Sequence, residues 1–184
     1  MKKATIYTND FNRVIEATKS FTTNNNKEIF QYIKLEFDAD ASTMTAIAID
    51  GYRMSVEHAV ISDCKESFTV YVKGTLKLPR SKYAEISIVG DDVIIRCDGL
   101  VFGFQQPEGD YIAWEGIVPT SDVKYKIAFN GNYLLSALQA AKASCGNFKE
   151  PVILEFRGRF EPIVLRTNKK DIKLVLPMRV YGDD

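Results

Sequence analysis

The 184-residue sequence is short of the residues from which most enzyme sites are built. It has one histidine, His58, and three cysteines, Cys64, Cys97 and Cys145, set far apart. An odd cysteine count with no pair at metal-ligand spacing argues against a disulfide framework or a zinc site. It fits idle thiols of a reducing cytosol. A lone histidine in a strand pattern, with no serine or cysteine nucleophile near it, reads as structural rather than catalytic. No glycine-rich loop leads from a strand into a helix, so neither a phosphate loop nor a dinucleotide fingerprint is present. Asp91-Asp92 and Asp183-Asp184 fall at a turn and at the end of the sequence, where solvation explains them better than a metal. Charge of one sign is not in excess either, with 24 Lys plus Arg against 24 Asp plus Glu. Any contact with nucleic acid therefore has to come from a local patch. The apolar runs are far short of the ~20 residues that span a bilayer. Polar Asn9, Asp10, Asn12 and Arg13 follow the first residues too closely for a signal peptide. The expectation is a cytoplasmic protein with no metal, no cofactor and no catalytic residue.

What is present is a folded-protein composition, 46% hydrophobic, 26% charged and 11% aromatic. A compact chain of this length buries roughly 70% of its unfolded surface, enough to stand without staples. Ile6-Tyr7 reads as a short strand, and Asn9 or Asp10 as a helix N-cap. Phe11, Val14, Ile15 and Thr18 then recur at i, i+3, i+4 and i+7, one face of a helix ending near Phe21. Strands are expected at Phe30–Phe37, Met44–Ile49 and Arg53–Ile61. Asp50-Gly51 marks a tight turn between the last two. The end of the sequence replays this plan. Tyr125–Phe129 reads as a strand and Asn130 as a cap, and Leu134, Ala137, Leu138 and Ala141 form the helical stripe. Strands follow at Val152–Phe156, Phe160–Arg166 and Ile172–Leu176. A shared order of strand, helix and three strands points to an internal repeat.

The middle supplies strands at Phe68–Val72, Ala84–Val89, Asp92–Cys97 and Leu100–Gln105, with turns at Gly90-Asp91 and Asp98-Gly99. Where its helix should lie, Gly74 to Lys82 is short and contains Pro79, which forbids a long regular helix. Residues 107–119, with Trp114 among them, read as an ordered connector, too aromatic for a solvated spacer. The fold class is therefore α+β, with about three repeated β-α-β-β-β units. Its sheets are antiparallel with helices on one face, and the middle unit has a reduced helix. Such sheets leave edges, which are a liability unless covered or paired with another chain.

The basic residues are suggestive by position. Arg13 and Lys19 lie on the outward face of the first helix and Lys142 at the matching place on the last. Lys73, Lys77, Arg80 and Lys82 cluster in the degenerate middle segment. If helices of several units faced a common space, these cations would meet phosphates. The plainer alternative is a solvated helix face balanced by Glu16.

Several segments, in order, resemble the bacterial sliding clamp, the beta subunit of DNA polymerase III. Ala48-Ile49-Asp50-Gly51-Tyr52-Arg53-Met54-Ser55 is similar to that family's Thr-Asp-Gly-(His or Tyr)-Arg-Leu turn. Leu174-Val175-Leu176-Pro177-Met178-Arg179-Val180 is similar to its closing Met-Pro-Met-Arg-Leu tail. Phe102-Gly103-Phe104 through Glu108-Gly109-Asp110-Tyr111 and Val118-Pro119 resembles the stretch that ends its middle domain. Phe129-Asn130 through Leu134-Leu135 resembles the start of its last helix. The resemblance implies the DNA-clamp architecture in shortened form. Residues 1–120 correspond to a clamp middle domain and 121–184 to half of a clamp C-terminal domain, packed on the first.

Carried over position by position, the resemblance implies a pocket for clamp-binding peptides. Its lining would be Phe30, Ile49, Gly51, Tyr52, Arg53, Met54, Pro119, Pro162, Leu174, Val175, Leu176, Pro177, Met178, Arg179 and Val180. Apolar burial at about 25 cal/mol per Å² would hold the peptide, with Arg53 and Arg179 on its carbonyls or an acidic residue. Left to the residues alone, Leu174 to Met178 is equally a buried strand and Asp50-Gly51 a mere turn. The resemblance also implies a surface facing duplex DNA, to which Arg13, Lys19, Lys142 and Lys27 belong. It would bind backbone without reading sequence. The implied partners are duplex DNA, a DNA polymerase or other clamp-motif proteins, and further copies of the chain. The family ring closes with about twelve units, so three units per chain would call for four chains. A peptide-binding adaptor or decoy that never encircles DNA shares the pocket and differs only in the ring. A small hydrolase on an unrelated scaffold would need a convergent polar site that the sequence does not show.

Overall fold

A computed structural model describes residues 2–24, 28–145 and 150–179. The chain divides into two compact units, 1–118 and 119–184. The first opens with β1 (Lys3–Tyr7) and α1 (Thr8–Thr18), followed by a 3-10 turn at Lys19–Phe21. Phe11, Val14, Ile15 and Thr18 are all buried, as their spacing predicts. The start of α1 differs from expectation. Neither Asn9 nor Asp10 caps it; the helix begins at Thr8, and the flanking Tyr7 makes no side-chain cap bond. The Lys82 carbonyl, 3.4 Å from the Thr8 N–H, takes one of the orphan donors, and the Thr8 hydroxyl donates to the Ser81 carbonyl. A distant segment thus replaces the local cap.

Seven strands follow: β2 (Tyr32–Asp38), β3 (Thr43–Ile49), β4 (Met54–Ser62), β5 (Phe68–Lys73), β6 (Tyr83–Val89), β7 (Asp92–Cys97) and β8 (Leu100–Gln105). Phe30, expected to open β2, instead lies in a 3-10 turn at Glu28–Gln31. The eight strands form one sheet in the order β5-β2-β3-β4-β1-β6-β7-β8, every pairing antiparallel. Two repeats build it by reciprocal exchange. The first strand of repeat one, β1, pairs along its whole length with β6 of repeat two, while β5 of repeat two pairs with β2 of repeat one. Alternate residues turn inward, so Ile33, Leu35 and Phe37 of β2 join Met44, Val70, Ile86, Ile95 and the buried face of α1 in one core.

The edge of β5 is closed by a side chain. Gln106 accepts from the Tyr71 N–H at 2.7 Å and donates to the Tyr71 carbonyl at 3.3 Å, imitating a neighbouring strand. Beyond it the aromatic connector is pinned by Tyr111. Its hydroxyl lies 3.2 Å from the Ile47 carbonyl and 3.4 Å from that of Tyr32, and its ring meets Phe30 edge-on. Burial raises the Tyr111 phenol far above its ordinary pKa, so it stays a donor.

The second unit holds β9 (Ala128–Phe129), α2 (Gly131–Ser144), β10 (Ile153–Glu155), β11 (Ile163–Arg166), β12 (Lys173–Val175) and β13 (Pro177–Met178). Asn130 caps α2 as predicted, its side-chain oxygen accepting from the N–H groups of Asn132 (3.0 Å) and Tyr133 (3.3 Å). The strands are shorter than the apolar runs that predict them, and Tyr125 to Ile127 lies outside β9. They form a three-stranded sheet, β10-β11-β12, and the pair β13-β9. The core is small: Ile163, Leu165 and Val175, with Phe129, Ala137, Leu138 and Val152 partly buried against them. In α2 only Ala141 of the expected stripe is fully buried. The order β-α-β-β-β occurs three times, with irregular chain in place of the second helix.

Candidate functional site

Pro79 and Gly74 prevent a helix between β5 and β6, and residues 74–82 instead run as a strap along α1. At one end Gly74 meets Lys19 so closely that a Cβ on Gly74 would lie 2.8 Å from the Lys19 Cβ. Midway, Asn12 clamps the strap with two bonds of 2.9 Å, donating to the Leu78 carbonyl and accepting from its N–H. At the other end lie the Thr8 bonds to Ser81 and Lys82. Leu78 is buried beneath, while Lys77, Arg80 and Lys82 stay exposed. The strap thus spreads these three cations along α1, with Lys82 at the end opposite Lys19. Lys19 pairs with Glu16 at 2.7 Å. Lys73 lies over the Tyr32 ring at 4.2 Å, and Lys82 over Tyr83 at 5.2 Å. Arg13 leaves this flank. It pairs with Glu57 at 2.9 Å and donates to the His58 carbonyl at 2.7 Å, tying α1 to β4.

The turn between β3 and β4 is built by Asp50. One carboxylate oxygen accepts from the N–H groups of Tyr52 (3.0 Å) and Arg53 (3.1 Å), and the other from Arg53 Nε (2.8 Å). These bonds hold the Asp50 carboxyl below its ordinary pKa. Gly51 sits at φ +90°, where a Cβ would be strained. Arg53 goes on to donate to the Ser20 carbonyl at 2.6 Å and lies 5.0 Å over the Phe21 ring. The turn is rigid, and it presents Tyr52 almost fully, at 97% exposure.

In the second unit, α2 and the strands β12 and β13 enclose a groove of about 710 Å³. Tyr133, Ala137 and Ala140 form its helical wall, and Leu174, Leu176 and Met178 are the apolar residues opposite. These three face solvent at 62%, 71% and 53% exposure, which an ordinary core strand would not. Val175, between them, points into the core. Asp171, in the turn between β11 and β12, accepts from Thr167 and from Lys173, which hold its carboxyl well below the usual carboxylate range.

Among the described residues no cluster of His, Cys, Asp or Glu could hold a metal, and no helix is long and apolar enough to cross a membrane. Neither a protein-family model nor a curated protein matches the chain by sequence. Solved structures do match. A DNA polymerase III beta subunit of Eubacterium rectale superposes with a TM-score of 0.83 at 17% identity, over 96% of this chain and 50% of that one. The beta chain of Streptococcus pneumoniae gives 0.83 at 14% identity over 97% and 50%. That of Pseudomonas aeruginosa gives 0.75 at 14% over 96% and 52%. The chain has the sliding-clamp fold. It spans about half the length of the solved clamp chains it matches.

On this clamp fold the expected peptide-pocket residues separate into those presented and those used elsewhere. Gly51, Tyr52, Pro119, Leu174, Leu176, Met178 and Arg179 are exposed, and Met54, Pro162 and Pro177 half-buried. Ile49 and Val175 are buried, so they support the surface from beneath. Phe30 packs on Tyr111, and Arg53 braces its own turn. Of the expected DNA-facing set, Lys77, Arg80 and Lys82 are carried by the strap, Lys73 by the end of β5 and Lys19 by the 3-10 turn after α1. Arg13 is tied to β4, and Lys142 is exposed on the last turn of α2. Lys27 and Val180 lie outside the described residues. Missing from the sequence reading was the helical wall of the groove. Tyr133 and Ala140, seven residues apart, flank Ala137 of the expected stripe and widen it on one side.

Proposed function

We propose that this chain works as a shortened sliding clamp. It tethers a DNA polymerase or repair enzyme to duplex DNA, catalyses nothing itself, and closes around DNA by joining further copies. The carrying observation is the exposed apolar run Leu174–Met178 beside the α2 wall, on a clamp fold. An apolar groove of this size suits the hydrophobic side chains of a short peptide. Met178 adds an adaptable wall fit for several partners. The strap cations supply weak backbone attraction without base readout, which sliding requires.

The test is binding of a fluorescent clamp-motif peptide, followed by anisotropy. Met178→Asp puts a charge in the groove and should abolish binding, whereas Lys77, Arg80 and Lys82 changed together to Glu should leave it intact. The triple variant should instead lose salt-sensitive retention on circular duplex DNA. Peptide affinity unchanged by Met178→Asp would refute the pocket. One observation favours the adaptor reading: Arg13 and Lys19 are already paired with carboxylates, which leaves less positive charge for phosphate. Peptide binding by a wild-type chain that circular DNA never retains would decide for the adaptor.

A further inference from the structure

In the first repeat, β1 and β4 are joined by main-chain pairing, Thr5↔Ser62 and Ile6↔Ile61, and α1 packs on both strands. Arg13 and the Ser55 hydroxyl fasten the helix to β4, whose Ala59 and Ile61 are buried. The second repeat makes the corresponding joint differently. Its strands β5 and β8 are the two edges of the sheet, and the Gln106 side chain bridges them through both main-chain groups of Tyr71. In place of a helix it has the strap, which is fastened to α1 instead of lying along β8.

A cavity of about 460 Å³ remains between β8, the end of β5 and the start of the strap. Tyr32, Leu76, Phe102 and Phe104 are its apolar walls, all half-buried, and the last three also pack on the main core. Lys73 and Lys77 are its cations, both exposed, and no carboxylate lines it. Lys73 touches neutral groups, the Tyr32 ring at 4.2 Å and the Gln31 side-chain oxygen at 3.5 Å. Among the described residues neither lysine has a carboxylate partner, whereas Lys2, Lys3, Lys19, Lys34 and Lys173 each hold one.

We infer that this cavity binds a small organic anion, a flat apolar body carrying one negatively charged head. Concave, mostly apolar walls with a few charged groups are what such a ligand needs. The body displaces water from Phe102 and Phe104, and the head meets two ammonium groups on flexible stems. Larger occupants do not fit. The volume is about that of one turn of a helix ~10 Å across, too little for an added helix. A strand cannot pair with β5 at Tyr71, because Gln106 already holds both of its main-chain groups. The inference stands apart from the clamp reading, and its test uses neither duplex DNA nor a clamp-motif peptide.

The test is a titration of the isotope-labelled full chain with cinnamate, and with cinnamyl alcohol as its uncharged counterpart, followed by amide chemical shifts. Cinnamate should give saturable shifts at Leu76, Lys77, Phe102 and Phe104. It should bind roughly tenfold tighter than the alcohol, the order expected of two exposed charge contacts. Lys73→Gln combined with Lys77→Gln should bring the two ligands to equal affinity. Both side chains are exposed, so the double variant should keep the wild-type fold, checked by circular dichroism. Shifts confined to the Leu174–Met178 groove would overturn the inference. So would equal affinities for the two ligands in the wild type, or a folded double variant that still prefers cinnamate.

Discussion

Residues 2–118 and 119–179 are made from the same β-α-β-β-β repeat, yet one interior is deep and the other shallow. Two repeats exchange leading strands in the first unit, and the resulting eight-stranded sheet buries long runs of alternate residues with α1. A single repeat in the second unit buries three residues fully in its cluster and leaves Leu174, Leu176, Phe160 and Tyr133 in solvent. The local signals are equally good in both. Asn130 even caps its helix better than Tyr7 does. Burial therefore depends on the number of repeats that share a sheet, not on the quality of any one. The same shallowness leaves apolar residues available for a partner.

The sharpest way to break this contrast is to cut a hole in each core. Phe11→Ala in the first unit should cost about 3–5 kcal/mol in denaturant unfolding, because its close-packed surroundings cannot collapse into the gap. Leu165→Ala in the second unit should fall at the low end of the range for such changes, roughly 2 kcal/mol, because its half-buried neighbours can relax. Equal losses would show the small core to be as tight as the large one.

A smaller effect is expected at the strap, which stands where the first unit has lost a helix. Gly74→Ala places a methyl 2.8 Å from the Lys19 Cβ and 3.3 Å from its Cα. Overpacking of this kind costs about 1–3 kcal/mol. It should also displace the strap, seen as faster amide exchange at Leu78. Unchanged stability and exchange would mean that the Asn12 and Thr8 bonds hold the strap without the close approach at Gly74.

Much of this arrangement is legible in the sequence. The buried stripe of α1, the Asn130 cap, the turn at Asp50-Gly51 and the loss of a helix at Pro79 are all local, since each rests on residues a few positions apart. The α1 start was misread because its bonds come from Ser81 and Lys82, more than seventy residues away. Arg53 reads as a ligand for peptide because nothing local reveals that Ser20 and Phe21 already occupy it. The strands of the second unit read too long for the same reason: an apolar run becomes a strand only where a neighbour exists. In the groove, Leu174 and Leu176 are indistinguishable from core leucines until their exposure is known.

The gentlest probe compares two turns, one per unit, each held by a carboxylate. Asp50 binds Arg53 and two N–H groups, and Asp171 binds Lys173 and Thr167, so both pKa values are depressed in the folded chain. A depressed carboxylate contributes its stability above the ordinary pKa of about 4 and loses it as pH falls below that value. Melting temperature should therefore drop on acidification from pH 5 to 3, and Asp50→Asn and Asp171→Asn should each flatten that drop while lowering the value at pH 7. Both effects are small because solvent still reaches both ion pairs and screens them. The change at Asp171 should be the more visible, since a shallow core leaves the β11–β12 turn a larger share of its unit's stability. A steeper acid response in Asp171→Asn than in Asp50→Asn would reverse that ranking, and with it the claim that the second unit is held together by its turns more than by its interior.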